Sequence, residues 1–231
     1  MIGVGMQCND PGSIFYVSML SILSGVQGSC VEIGFGASDS WTMPLDQQVE
    51  IACAKVRGMP QLQQGYNLVG LSQGNIIGRG MIELCDNLPP VGPRCGALSY
   101  LYKMGVYSGL VQDIPGYLEG CKFLPKINNE IPSSNNTLHK QRFSSLQNLV
   151  LIMFESDSVV IPALSSWFGF YQDGDSTTVL PPQQTRLYKE DLFGLKTLDE
   201  AGKVKFIRVG GAHLEITIPE MQQYVVPYLI G

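Results

Sequence analysis

Histidine is scarce in this chain, with only His139 and His213 among 231 residues. Any mechanism that uses a histidine as general base therefore has two candidates. Charged residues are also few, at 15% of the chain, and the formal net charge of −5 argues against a nucleic-acid partner, which would require a basic face. None of the six cysteines shows C-x-x-C spacing, so we expect no zinc site or other metal centre.

Long hydrophobic runs are absent as well. No apolar stretch reaches the length of a transmembrane helix, and Met1-Ile2-Gly3 begins neither the charged nor the apolar region of a signal peptide. Hydrophobic residues nevertheless make up 45% of the chain, which is ample for one α/β core. We expect residues 1–231 to form a single domain, with a helical, cap-like insertion at about residues 92–145.

Predicted strands and helices alternate along the chain. Helical patterns cover residues 14–23, 43–56, 75–85, 194–201 and 219–230. Strand patterns cover residues 30–34, 66–71, 148–154 and 203–209, whereas residues 115–142 are polar and predicted to be irregular. This alternation predicts a mostly parallel sheet with helices on both faces.

The pentapeptide Gly70-Leu71-Ser72-Gln73-Gly74 has the G-x-S-x-G pattern of a nucleophile elbow. It joins the predicted strand 66–71 to the predicted helix 75–85, which is the strand–turn–helix setting that such an elbow requires. The strained turn needs small neighbours, because a Cβ two residues away on either side would clash with it. Ser72 is therefore the candidate nucleophile; the alternative is a serine that only caps the following helix.

Of the two histidines, His213 is the better placed to act as a base. It follows the predicted strand 203–209 on the Gly-rich loop Val209-Gly210-Gly211-Ala212, where an α/β-hydrolase presents its general base. His139 lies in a polar segment that we predict to be an exposed loop. The alternative for His213 is a structural histidine with satisfied hydrogen bonds.

The candidate acid follows the most apolar strand pattern of the C-terminal half. Residues 148–154 run directly into Glu155-Ser156-Asp157. Asp157 is the preferred acid, with Glu155 as a rival and a simple turn residue as the alternative. The order Ser72, Asp157, His213 is the order of an α/β-hydrolase triad.

Longer blocks of sequence resemble the palmitoyl-protein thioesterases, lysosomal α/β-hydrolases that remove fatty acyl groups from cysteine thioesters. The blocks are Leu62-Gln63-Gln64-Gly65-Tyr66-Asn67, Phe154-Glu155-Ser156-Asp157-Ser158-Val159-Val160, Ser166-Trp167-Phe168-Gly169-Phe170-Tyr171, Gly211-Ala212-His213-Leu214 and Val225-Val226-Pro227-Tyr228-Leu229. The resemblance implies an α/β-hydrolase fold with Ser72 as nucleophile, Asp157 as acid and His213 as base. It also implies S-palmitoylated proteins or long-chain acyl thioesters as substrates, no cofactor, and a lysosomal or secretory location.

Two oxyanion donors are expected beside the nucleophile. The N–H of Gln73, directly after Ser72, is the first. The segment Gly3-Val4-Gly5 is similar to the oxyanion loop of the family, which makes Val4 the second donor. An acyl groove is also required, and apolar side chains within residues 98–110, 161–170 and 179–180 are candidates for its lining, although core packing is their more usual role.

The cysteines and one glycosylation sequon lead to two further predictions. Cys53 and Cys85 match family positions that pair, which implies a disulfide, whereas Cys8, Cys30 and Cys121 have no assignable partner. Asn135 opens the sequon Asn135-Asn136-Thr137 and is a candidate glycosylation site.

The chain departs from the family pattern at two places. Ile2 stands where the family has a histidine, and the strand that precedes it in the family is missing; no β-like run lies between Val91 and Ser99. These departures indicate a shortened form. Three hypotheses follow: a serine thioesterase, a carboxylesterase or lipase, and a truncated, catalytically inactive remnant that binds acyl chains.

Overall fold

The computed structural model describes residues 5–88, 96–99, 114–121 and 123–230. Its helices are α1 Pro11–Ser24, α2 Ala37–Thr42, α3 Leu45–Arg57, α4 Gln73–Leu84, α5 Ile114–Gly120, α6 Leu124–Ile127, α7 Asn136–Ser144, α8 Arg186–Lys189, α9 Leu195–Glu200 and α10 Ile218–Tyr224. Its strands are β1 Gly96–Ser99, β2 Asn148–Phe154, β3 Phe170–Tyr171, β4 Val179–Leu180 and β5 Val204–Val209. Short 3-10 turns lie at Pro60–Leu62, Ala163–Trp167, Pro182–Gln184 and Val226–Tyr228.

The main sheet is parallel, with strand order β1-β2-β5. The central strand β2 is buried from Leu149 onward, as expected for an apolar run that is covered on both faces. Its partner β5 runs beside it in the register Leu149↔Val204 to Phe154↔Val209. The strands predicted at 148–154 and 203–209 are thus confirmed, as is the α/β class.

Helices cover both faces of this sheet. Because successive strand residues point to opposite faces, β2 contributes to two separate cores. Leu149 and Leu151 pack in one core with buried side chains of α3, α4, α7 and α9. Val150 and Ile152 pack in the other, against side chains of α1 and the end of α10. Helix α4, which begins directly after Ser72, packs in the first of these cores.

Three strand predictions are corrected by the structure. Residues 30–34 form no strand; the segment is tied to the N-terminal loop instead, since Cys8 is disulfide-bonded to Cys30 and the Cys8 N–H donates to Glu32 Oε2 at 2.6 Å. Residues 66–71 show only single bridges at Tyr66 and Val69. Conversely, Gly96–Ser99 is a strand although no β-like pattern marks it, because its backbone pairs with β2.

The segment predicted to be irregular, residues 115–142, contains α5, α6 and most of α7. His139 is correspondingly not in an exposed loop: it lies on α7 and is 6% exposed, on the same helix face as the fully buried Phe143. Packing of α7 against α4 outweighs the polar composition of the segment. Burial is the main cause that lowers the pKa of His139. The predicted insertion at 92–145 stays a prediction, because residues 89–95, 100–113 and 122 lie outside the described ranges.

Within the described residues, two disulfides join cysteines of the N-terminal half. Cys53 of α3 is joined to Cys85 at the end of α4, the pair that the family resemblance implies. The second, Cys8–Cys30, was not predicted from the sequence. Asn135 is exposed directly before α7, so its side chain is accessible; glycosylation there stays a prediction. No helix in the described parts of the chain is both long and apolar enough to cross a bilayer.

Helix α4 carries a buried ion pair whose arginine also bonds to the end of α6. Arg79 Nε lies 2.6 Å from Glu83 Oε1, with side chains that are 3% and 0% exposed. The same guanidinium donates to Asn128 Oδ1 at 2.8 Å and to the Ile127 carbonyl at 2.6 Å, and it stacks 4.0 Å from the ring centre of Phe193. Burial raises the pKa of Glu83 to about 7, while the charge and hydrogen bond of Arg79 act to lower it.

Arg79→Leu is expected to lower the free energy of unfolding by about 3–5 kcal/mol at pH 8, because the Glu83 carboxylate would stay buried without a counter-charge. The pKa of Glu83 is raised above its ordinary 4.5, so its contribution to stability is complete below pH 4.5 and is lost as the pH rises through the folded value. Without Arg79 that folded value rises further. Urea unfolding should therefore show a smaller loss at pH 5 than at pH 8.

Two further variants serve as controls for this prediction. In Arg79→Leu/Glu83→Leu no buried charge is left alone, so part of the stability should return. Lys196→Leu breaks an exposed pair with Glu200 at the same i,i+4 spacing and should change stability little. An equal loss for Arg79→Leu at both pH values would contradict the role assigned to Glu83.

Candidate active site

Ser72 occupies a strained turn immediately before α4. Its φ of 52° and ψ of −126° lie in a region that residues with a side chain rarely adopt. A Cβ added at Gly70 would come within 2.4 Å of Asn75 Oδ1 and 2.7 Å of Asn75 Cα, so the turn requires a glycine there. Strain of this kind persists where the surroundings hold it and clusters at functional sites. The backbone at Ser72 is thus that of a nucleophile elbow.

The three residues Ser72, His213 and Asp157 lie next to one another. His213 Nε2 is 3.3 Å from Ser72 Oγ, and His213 Nδ1 is 3.0 Å from Asp157 Oδ2. The serine side chain therefore faces the imidazole, and within the described part of the chain it makes no capping hydrogen bond to α4. These side chains come from chain segments that are far apart in sequence.

The structure also separates Asp157 from its rival Glu155. The Asp157 side chain is fully buried, and its Oδ1 accepts the N–H groups of Val159 and Val160, both at 2.8 Å. These bonds fix the carboxylate against the imidazole. Glu155 is 51% exposed and lies 3.5 Å from Arg208 Nη1. Geometry therefore favours Asp157 as the partner of His213.

One of the two predicted oxyanion donors can be located. Gln73 is the first residue of α4, and the first N–H groups of a helix have no partner within the helix. Its side-chain Nε2 donates to the Ser40 carbonyl at 3.2 Å, which ties the turn to α2. Val4 lies outside the described residues, as does Ile2. Among the residues that the structure describes, no group of three or more His, Cys, Asp or Glu side chains could hold a metal ion.

A cavity of about 390 Å³ lies beside the far half of α4. Its lining includes Phe168, Phe170 and Leu180, which belong to the segments predicted to form an acyl groove, together with Tyr117 and Arg79. The triad residues are not among the described residues that line it. Residues 100–110 of the predicted lining lie outside the described ranges. The volume is within the range of small-molecule sites.

The sequence gave no indication of a contact between Tyr16 and Leu214 beside the candidate site. The Tyr16 hydroxyl donates to the carbonyl of Leu214, the residue after His213. The two residues are 198 positions apart, so no local pattern connects them. The amides of Val159 and Val160 were equally hidden, because a backbone donor has no signature of its own in sequence.

Comparison with known proteins shows which family this chain resembles over most of its length. The family model of palmitoyl protein thioesterase matches residues 1–93 and 103–213. Palmitoyl-protein thioesterase 1 of Caenorhabditis elegans is 36% identical over 235 residues, covering 87% of this chain and 76% of that protein. Palmitoyl-protein thioesterase 3 of Dictyostelium discoideum is 34% identical over 233 residues, covering 86% and 80%.

Two weaker similarities, one to a thioesterase and one to a solved lipase structure, were also found. Lysosomal thioesterase PPT2 of Homo sapiens is 29% identical over 196 residues, which is 70% of this chain and 64% of that protein. A monoacylglycerol lipase structure from Paleococcus ferrophilus has a TM-score of 0.49 at 13% identity, covering 99% of this chain and 91% of that chain; this likeness is too weak to assign a role to any residue. Since the family model and two relatives above 30% identity each match most of its length, the chain belongs to the palmitoyl protein thioesterase family.

Proposed function

We propose that this protein is a serine thioesterase that hydrolyses long-chain fatty acyl thioesters, either on S-palmitoylated protein cysteines or on acyl-CoA. The observation that carries the proposal is the contact of Ser72, at a strained elbow, with His213 and through it with the buried Asp157. Membership of the thioesterase family supports the choice of substrate class. The proposed reaction needs neither a metal nor a cofactor.

In the proposed mechanism His213 Nε2 takes the Ser72 proton as Oγ attacks the thioester carbonyl carbon. Asp157 holds the imidazole in the required tautomer and stabilises the imidazolium. The N–H of Gln73, with that of Val4 as the proposed second donor, stabilises the oxyanion. Collapse of the tetrahedral intermediate expels the thiolate, which takes the proton from the His213 imidazolium and leaves as a thiol, and an acyl-serine remains. His213 then activates a water that hydrolyses this ester and regenerates Ser72.

The acyl chain needs an apolar site, and the 390 Å³ cavity supports this part of the proposal. Phe168, Phe170 and Leu180 give the cavity apolar walls. Arg79 of α4 also lines it, so the cavity lies beside this helix. Arg79 is seven residues after Ser72, which corresponds to about 10 Å along a helix. An alkyl chain attached at Ser72 is long enough to cover such a distance. We therefore propose this cavity as part of the acyl site.

A lysosomal or secretory location is also proposed. Lysosomal thioesterases are among the relatives, and the two disulfides are typical of proteins that fold in an oxidising compartment. Asn135 is the proposed glycosylation site.

The deciding experiment compares thioester and oxyester substrates of equal chain length. Purified protein is expected to hydrolyse palmitoyl-CoA and an S-palmitoylated peptide with a higher kcat/KM than the matching palmitoyl oxyester, with Ser72→Ala as the background control. The residues of the triad serve either ester, so the preference must come from the rest of the site.

Two results would contradict the proposal. A higher kcat/KM on the oxyester would identify a carboxylesterase or lipase. Absence of turnover in a monodisperse, folded preparation that still binds palmitate would identify an inactive acyl-binding remnant.

A further inference from the structure

The loop that carries His213 has a backbone conformation that needs support from outside the loop. Leu214 has a φ of 65°, in the left-handed region that a branched residue seldom adopts. Within the loop, the Glu215 N–H donates to the Ala212 carbonyl at 3.0 Å and the Ala212 N–H donates to Glu215 Oε2 at 2.8 Å. Such a conformation persists only where its surroundings determine it.

Tyr16 of α1 supplies that support. Its hydroxyl donates to the carbonyl of Leu214, directly after His213. The side chain is partly buried, and burial raises the pKa of the Tyr16 hydroxyl, which therefore stays protonated and able to donate. A hydrogen bond to this carbonyl restrains the Leu214–Glu215 peptide unit, one residue beyond the peptide that joins His213 to Leu214.

Tyr16 also lies against the nucleophile side of the site. It lines a small cavity of about 40 Å³ together with Gly70 and Leu71, the two residues before Ser72, and with Leu214. One side chain of α1 is therefore placed where the elbow and the His213 loop meet. The nucleophile elbow and the His213 loop must keep a fixed separation for proton transfer, and both border the cavity that Tyr16 lines.

We propose that Tyr16 is a positioning residue, which holds His213 at the distance and angle needed to take the proton of Ser72. The inference rests on the proposed function, in which His213 is the base. Its physical reason is that a base misplaced by a fraction of an ångström from its nucleophile loses much of its effect. The 3.3 Å contact between His213 Nε2 and Ser72 Oγ leaves little room for further separation.

The test is Tyr16→Phe, which removes the hydroxyl and keeps the ring that packs in the cavity wall. Its matched control is Ser21→Ala on the same helix: the Ser21 hydroxyl donates to the Val17 carbonyl and accepts the Gly28 N–H, away from His213. The unfolding temperature of each variant is measured first by a thermal melt. The labelling rate of Ser72 by a fluorophosphonate probe, and kcat and KM on a palmitoyl thioester, are then measured below the melting temperature of the least stable variant.

Tyr16→Phe is expected to label roughly tenfold more slowly and to lose kcat in the same proportion with KM unchanged. Ser21→Ala should label at the wild-type rate whatever happens to its unfolding temperature. Labelling of Tyr16→Phe at the wild-type rate, or equally slow labelling of both variants, would overturn the inference. Labelling requires no thioester, so a wild-type protein that is labelled but hydrolyses none would refute the proposed function while leaving this comparison decisive.

Discussion

Ser72→Ala is expected to lower kcat for palmitoyl thioester hydrolysis on the order of 10⁶-fold, the scale on which serine hydrolases lose activity without their nucleophile. The physical reason is that the acyl-enzyme route closes, because Ser72 Oγ is the atom that faces His213 Nε2 at 3.3 Å. The loss of one buried oxygen should leave the fold intact. Steady-state hydrolysis and circular dichroism on the same preparation measure both effects.

Ser145→Ala is the matched control for this variant, since Ser145 is exposed at the end of α7. It should retain wild-type kcat. Residual activity of Ser72→Ala within tenfold of wild type would exclude Ser72 as the nucleophile, and some other residue would then have to form the acyl-enzyme.

Asp157→Asn is expected to lower kcat by about 10⁴-fold, the second-largest effect that we predict. The amide can keep the geometry but stabilises the wrong imidazole tautomer and no longer balances the imidazolium charge. The full burial of Asp157 makes this change more costly, because no solvent replaces the lost charge. Pre-steady-state measurement of acylation should show that this first step is slowed.

Glu155→Gln is the natural comparison, because Glu155 is the other carboxylate of the same loop. It faces Arg208 at the surface, so its activity should stay close to wild type. If Glu155→Gln lost as much activity as Asp157→Asn, the acid would have to be reassigned or shared between the two carboxylates.

Much of the candidate site could be predicted from short sequence patterns, because the nucleophile elbow is a local structure. Gly70, two residues before Ser72, and the apolar runs of β2 and β5 can each be recognised in a short window, and the order of the candidate residues is read from the positions of these windows along the chain. Each of these windows contains its own physical reason: a turn that excludes a Cβ, or a strand that is buried on both faces. That is why these residues could be chosen as candidates from the sequence, whereas the fold brings them into contact.

Long-range features were not recognisable in the same way. Strand β1 has no β-branched residue and forms because β2 offers its backbone as a partner. His139 lies in a polar segment but is buried, because α7 packs on α4. Cys8 and Cys30 had no assignable partners until the fold brought them together. Polar composition and spacing describe a segment, not the neighbours that it acquires.

The sequence by itself determined the chemistry available to this protein: two histidines, one elbow serine and an acid between them in chain order, in a chain of low charge. Only the tertiary structure decided which carboxylate faces His213, that Arg79 and Glu83 form a buried pair, and that Tyr16 contacts the loop that carries His213. The physical reason is that residue type sets what a side chain can do. Its hydrogen-bond partners and its burial depend on contacts between segments that are distant in the chain.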